Sequence, residues 1–70
     1  ARDYETAIEN LTKAVSYDAE NSEALYALAN AYRDNGNKRQ AQETYEKVIE
    51  LFPDTEKAKQ SQRAIDQLEE

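Results

Sequence analysis

The chain has 70 residues, enough for one small domain at most, and it contains no cysteine or histidine. Disulfides, thiolate metal sites and the usual base of neutral-pH catalysis are therefore excluded, and both a cytoplasmic and an extracytoplasmic location stay open. Its 15 acidic and 9 basic residues give a formal net charge of −6, which disfavours nucleic acid and anionic membrane surfaces as partners. No apolar run approaches the ~20 residues of a membrane span. Because the chain opens on a polar segment without Met, we interpret it as a piece of a longer protein.

Two amphipathic helices are predicted in the first half of the chain. Apolar residues at spacings of three and four indicate a helix over about 3–17, with Asp3 as its N-cap. A polar break at 18–21 follows, and Asn21 or Ser22 is expected to cap a second helix over about 22–35. We expect Leu28 to contact both neighbouring helices. The apolar stripe of the first helix is Tyr4, Ala7, Ile8, Leu11, Ala14 and Val15, and that of the second is Leu25, Leu28, Ala29 and Tyr32.

Two more helices are predicted in the second half. Gly36 ends the second helix, since glycine tolerates a left-handed backbone, and Asn37 with Gln40 forms a capping-box variant that starts a helix over about 38–52. Pro53 cannot continue that helix, and Asp54 is expected to cap a mostly polar fourth helix over about 54–68. The third stripe is Ala41, Tyr45, Val48, Ile49 and Phe52; the fourth is Ala58, Ala64, Ile65 and Leu68, with Ser61 on the same side.

A spaced motif connects the second and third helices. It reads Leu25-x-x-Leu28-Ala29-x-x-Tyr32, then Ala41-x-x-x-Tyr45, then Pro53. The motif resembles the tetratricopeptide repeat (TPR), whose signature is W-x-x-L-G-x-x-Y, A-x-x-x-F and a closing P over 34 residues. Shifting the chain by one such repeat places Ala7 on Ala41, Val15 on Ile49 and Ala24 on Ala58.

The resemblance implies an all-α, right-handed TPR solenoid of four antiparallel helices. Residues 1–21 would be the second helix of a truncated repeat, 22–55 one full repeat, and 56–70 a polar C-terminal capping helix. Asp66 stands where a further repeat would carry its Tyr, which favours the capping role. The segment from Phe52 to Ala58 also looks like the closing segment of TPR proteins of the bacterial cell envelope.

In this family the first helices of the repeats line a concave groove that holds an extended peptide or a partner's helix. The resemblance therefore implies a non-catalytic interaction scaffold with a protein or peptide partner. Asn30 and Lys57 match positions of the carboxylate-clamp subgroup, but the further clamp residues are missing, so binding of chaperone C-termini is not expected. Tyr26 fits either a peptide contact or plain surface packing. The implied groove residues are Glu23, Tyr26, Ala27, Asn30, Arg33 and Asp34 from the second helix and Lys57, Gln60, Ser61 and Ala64 from the fourth.

An alternative function is structural. The first helix is expected to leave part of its stripe open, because only the second helix is available to cover it. Solenoids bury their cores by stacking, and small monomers rarely expose large apolar patches. The alternative is thus a capping or self-assembly module of a larger TPR envelope protein, with homodimerisation through Tyr4, Ile8, Leu11 and Val15.

Acidic residues on the third helix could suggest a catalytic or metal site. Glu43, Glu46 and Glu50 lie at spacings of three and four, but Lys47 follows Glu43 at i+4, which favours a solvated ion pair. Because the chain has no Cys or His, the residues that would complete a metal or catalytic site around these glutamates are missing. The run 34–37 lacks the spacing and terminal Glu of a calcium loop. The sequence therefore predicts no enzyme, no cofactor and no metal.

Overall fold

Four helices make up the fold in a computed structural model that describes residues 3–69: α1 (Tyr4–Tyr17), α2 (Ser22–Asp34), α3 (Lys38–Leu51) and α4 (Glu56–Leu68). The predicted all-α class is confirmed, and each helix end lies within two residues of its predicted position. Ala1, Arg2 and Glu70, which belong to the first and last predicted segments, lie outside the described residues.

The helix boundaries repeat along the chain. The bounds of α3 and α4 are those of α1 and α2 moved by 34 residues at every end. That offset is the length of the repeat expected from the motif. How the segments 1–21, 22–55 and 56–70 divide into repeats stays a prediction.

Polar side chains cap the N-termini of the first two helices, as expected. The Asp3 carboxylate accepts the Thr6 N–H at 3.0 Å, and the Asn21 side chain accepts the Ala24 N–H at 3.0 Å. Hydrogen bonds from the Thr6 hydroxyl and backbone hold the pKa of the Asp3 carboxyl below its usual value. The N-cap of α2 is therefore Asn21 and not Ser22.

The predicted capping box of α3 is wrong. Asn37 occupies the N-cap position, but its side chain makes no capping hydrogen bond. Its Oδ1 accepts instead from the Asn35 side-chain amide at 3.1 Å. Gly36 explains this, because its predicted left-handed conformation (φ 86°) folds the turn tightly enough to bring the two asparagines together.

Asp54 is not the N-cap of α4, as the sequence predicted. Thr55 caps the helix: its hydroxyl accepts the Ala58 N–H at 3.2 Å and donates to the Phe52 carbonyl at 2.7 Å. Phe52 has left the helical region ahead of Pro53 (φ −133°, ψ 58°). The turn therefore includes Asp54, and α4 begins two residues later than predicted.

The core lies between α2, α3 and α4. α2 packs against α1 and α3, α3 packs against α4, and α2 also touches α4, whereas α1 packs against α2 alone within residues 3–69. No described residue of α1 is buried. Ala29 and Ala41 are fully buried, which lets α2 and α3 approach closely. The buried apolar side chains are Ala24, Leu25, Leu28, Ala29, Ala31, Ala41, Tyr45, Val48, Ala58, Ala64 and Ile65; Tyr32, Ile49, Phe52 and Leu68 are half-buried.

Leu28 is 6% exposed and borders a cavity together with Val15 of α1 and Thr44 of α3. We expect Leu28→Ala to cost about 2–5 kcal/mol of unfolding free energy, against about 5–15 kcal/mol for an ordinary domain. The variant should be largely unfolded at physiological temperature. Leu51→Ala, the same change at a half-exposed site (50%), should leave the melt nearly unaltered. Thermal melts followed by circular dichroism compare the two, and equal midpoints would contradict the placement of Leu28.

Candidate partner-binding groove

An open groove runs along the side of the molecule formed by α2 and α4. α2 and α4 touch each other, whereas α1 and α3 do not within residues 3–69. The helices are therefore closer together on the side of α2 and α4 than on the side of α1 and α3. The groove encloses about 430 Å³, within the range of ~300–1,000 Å³ typical of ligand pockets. We call it the α2–α4 groove; its lining residues are Tyr26, Arg33, Gln60, Arg63, Ala64 and Gln67.

Tyr26 forms part of both the groove wall and the core boundary. Its ring lies 5.8 Å from the ring of Tyr45 at an interplanar angle of 57°, a tilted aromatic pair. Lys57 of α4 places its Nζ 4.8 Å from the Tyr26 ring centroid, a cation–π contact. Tyr26 is half-buried: it packs against its neighbours while part of its side chain stays exposed, and a peptide contact through it stays a prediction.

A partly buried hydrogen bond engages Asn30. The Tyr45 hydroxyl donates to Asn30 Oδ1, and the Tyr45 side chain is fully buried. Burial raises the pKa of the Tyr45 phenol above its usual value. In the family signature this position carries Phe. Tyrosine here needs a partner for its hydroxyl, and the side-chain oxygen of Asn30 provides it.

Three cations surround the Tyr26 ring or line the groove beside it. Arg33 Nε lies 3.3 Å from Asp34 Oδ1, and the two side chains are 39% and 40% exposed, so the pair is well screened. Arg63 is exposed and makes no ion pair or hydrogen bond with the described residues. Lys57 contacts the Tyr26 ring and is likewise without a carboxylate partner there. Within the described part of the chain, no acidic side chain lines the groove.

The remaining predicted groove residues lie in different positions. Glu23 is exposed and Ala27 half-buried on α2, and neither lines the α2–α4 groove. Ser61 is fully buried, so its hydroxyl is not on the groove surface. Arg63 and Gln67 were missed, although a spacing of three and seven from Gln60 places them on its helix face.

The apolar side chains of α1 form a second surface. Tyr4, Ile8, Leu11 and Val15, here called the α1 stripe, are all half-buried. The corresponding helix one repeat later, α3, has four buried residues. The difference arises because α3 packs between α2 and α4, whereas within residues 3–69 α1 packs against α2 alone. Self-association through this stripe stays a prediction.

Other polar features are solvated. Glu43 pairs with Arg39 at 4.0 Å and not with the expected Lys47, and Glu9 pairs with Lys13 at 3.5 Å. Within residues 3–69 no group of three or more Asp and Glu side chains is placed to hold a metal ion. None of the helices in that range is long and apolar enough to cross a membrane.

Helix pairs repeating at a fixed offset define a helical-repeat protein. A family model described as tetratricopeptide repeat matches residues 1–67, and the chain therefore belongs to the tetratricopeptide repeat family. The resemblance in the motif is thus confirmed. Neither the comparison with curated proteins nor that with solved structures finds a match. Members of the family are generally non-enzymatic scaffolds that mediate protein–protein interactions.

Ser61 Oγ is buried and has no hydrogen-bond partner among the described residues. A buried hydroxyl without a partner costs about 1–3 kcal/mol, and one repeat earlier the chain has Ala27 at this position. We expect Ser61→Ala to raise the unfolding free energy by about 1 kcal/mol or more. Ser16→Ala, at an exposed position of α1 where the hydroxyl donates to the Lys13 carbonyl at 2.8 Å, makes the same change in helix propensity but removes a hydroxyl that has a partner.

Urea unfolding at one protein concentration measures both serine variants. The gain in Ser61→Ala should exceed that in Ser16→Ala. A loss of stability in Ser61→Ala would mean that the hydroxyl has a partner in solution.

Proposed function

We propose that the chain is a non-catalytic protein-interaction module that holds a peptide or a partner's helix in the α2–α4 groove. One observation carries the proposal: an aromatic side chain, Tyr26, is held half-exposed in an open groove between cations that have few or no internal partners. Aromatic residues and arginines dominate binding hot spots, because they combine a large contact area with hydrogen-bond donors.

The groove residues project from helices, which supports recognition without large rearrangement. The Tyr45 ring and the Lys57 side chain both contact Tyr26 and restrict its rotation. Less conformational entropy is then lost when a partner packs against the ring, so more of the contact energy appears as affinity.

Peptides selected from a random display library against the wild-type chain test the proposal. Tyr26→Ala and Arg33→Ala should each weaken the selected peptides by about tenfold or more, the size of a hot-spot loss. The matched controls are Tyr17→Ala and Arg39→Ala, whose side chains are 90% and 91% exposed away from the groove. Fluorescence anisotropy with labelled peptides measures affinity, and circular dichroism verifies that each variant is folded.

Two results would contradict the groove as the binding site. The first is that no peptide is enriched on the folded chain. The second is that the selected peptides bind both groove variants as tightly as they bind wild type.

A second candidate function, self-assembly, rests on the difference between α1 and α3. α3 has four buried residues, but α1 has none, although it carries an apolar stripe of the same spacing. A second copy of the chain, placed by a two-fold axis, could cover the α1 stripe of its partner while its own stripe is covered in return.

Light scattering over a concentration series tests self-assembly. The wild-type chain should shift from monomer to dimer as concentration rises, and Leu11→Glu should remain monomeric because it puts a charge into the contact. Tyr17→Glu, which places the same charge at the exposed end of α1, should still dimerise. A strictly monomeric wild-type chain at several hundred micromolar would exclude the dimer.

A further inference from the structure

The charge of the α2–α4 groove is opposite to that of the chain. The formal net charge is −6, yet among the described residues Arg33 and Arg63 line the groove and no acidic side chain does. Lys57 adds a third positive charge beside it, over the Tyr26 ring. A local field opposite in sign to the net charge attracts a ligand of the chain's own sign to that place.

Donor groups in the groove are largely unoccupied. Arg63 makes no ion pair with the described residues, and Arg33 contacts Asp34 through Nε alone, which leaves its terminal guanidinium N–H groups without a partner there. A guanidinium carries five N–H donors in a plane and binds a carboxylate through two of them. Because the Arg33–Asp34 pair is exposed and screened, a partner's carboxylate can join or replace Asp34 at little cost.

The neutral groups of the groove suit an extended peptide. Gln60 and Gln67 lie on the same face of α4 and each offers a donor and an acceptor, which match the unpaired N–H and C=O groups of an extended backbone. Tyr26 supplies an apolar surface for a side chain between the charges. A nucleic acid would need cations along its whole length, whereas acidic residues outnumber basic ones 15 to 9 in this chain and repel phosphate.

We infer that the α2–α4 groove selects an extended acidic segment of a partner protein, whose carboxylates pair with Arg33 and Arg63 while its backbone contacts Gln60 and Gln67. This inference rests on the proposed function and adds the chemistry of the partner to it. Arg63 becomes a specificity-determining residue, although the family motif does not point to it.

Three pools of short labelled peptides test the selectivity. One pool has Asp or Glu at alternate positions, the second has Asn or Gln at the same positions, and the third has Lys or Arg there. The acidic pool should bind best. Arg33→Gln and Arg63→Gln, which remove the charge but keep much of the side chain, should each weaken it by up to about fivefold, the size of an exposed ion pair. Arg39→Gln makes the same change in net charge on α3 and should leave binding unchanged within error.

The outcomes separate this inference from the proposed function. Equal binding of the acidic and amide pools, abolished by Tyr26→Ala, would overturn the charge selection and leave the groove as a peptide site. Equal loss in Arg39→Gln and Arg63→Gln would mean that net charge alone acts, which also overturns it. Single-stranded DNA that binds as tightly as the acidic pool would show a general anion surface and contradict a peptide partner. Failure of all three pools would remove both the inference and the proposed function.

Discussion

Tyr45 joins three helices, and both the core and the groove depend on it. It is the largest fully buried side chain in the described part of the chain, and it projects from α3 into a cluster with Ala29 of α2 and Ala64 and Ile65 of α4. Its hydroxyl would be costly to bury alone, and the hydrogen bond to Asn30 removes that cost while fixing α2 against α3. The small alanines around it set how closely the helices approach.

The same side chain connects the core with the surface. The Tyr45 ring packs against the Tyr26 ring, and the Lys57 side chain of α4 also contacts the Tyr26 ring. The groove is therefore not a loop feature that varies independently of the fold. A change in the packing of Tyr45 would move the aromatic side chain on which partner recognition is proposed to depend. Asn30 Oδ1 accepts the hydrogen bond from the Tyr45 hydroxyl, so this oxygen stabilises the packing of α2 against α3 more than it serves the groove.

Periodicity predicted the helices well, because apolar spacing records which faces are buried. The sequence also indicated the left-handed Gly36 and the departure of Phe52 from the helix, since both follow from local backbone sterics. It did not predict the caps at Asn37 and Thr55 correctly. A cap depends on which nearby donor a side chain reaches, and that is decided by turn geometry. Register alone likewise could not distinguish buried Ser61 from lining Arg63, because their exposure depends on how α2 crosses α4.

The single interface of α1 has a consequence for cooperativity. α2, α3 and α4 all touch one another, so none of them can open without loss of the cluster around Tyr45. Within residues 3–69, α1 touches α2 alone and none of its own residues is buried, so it can detach and melt while the other three stay folded. Its backbone amides should then exchange with solvent through a lower-energy opening than those of α3. A partner that covers α1 would abolish this local opening and extend the cooperative unit to the whole chain.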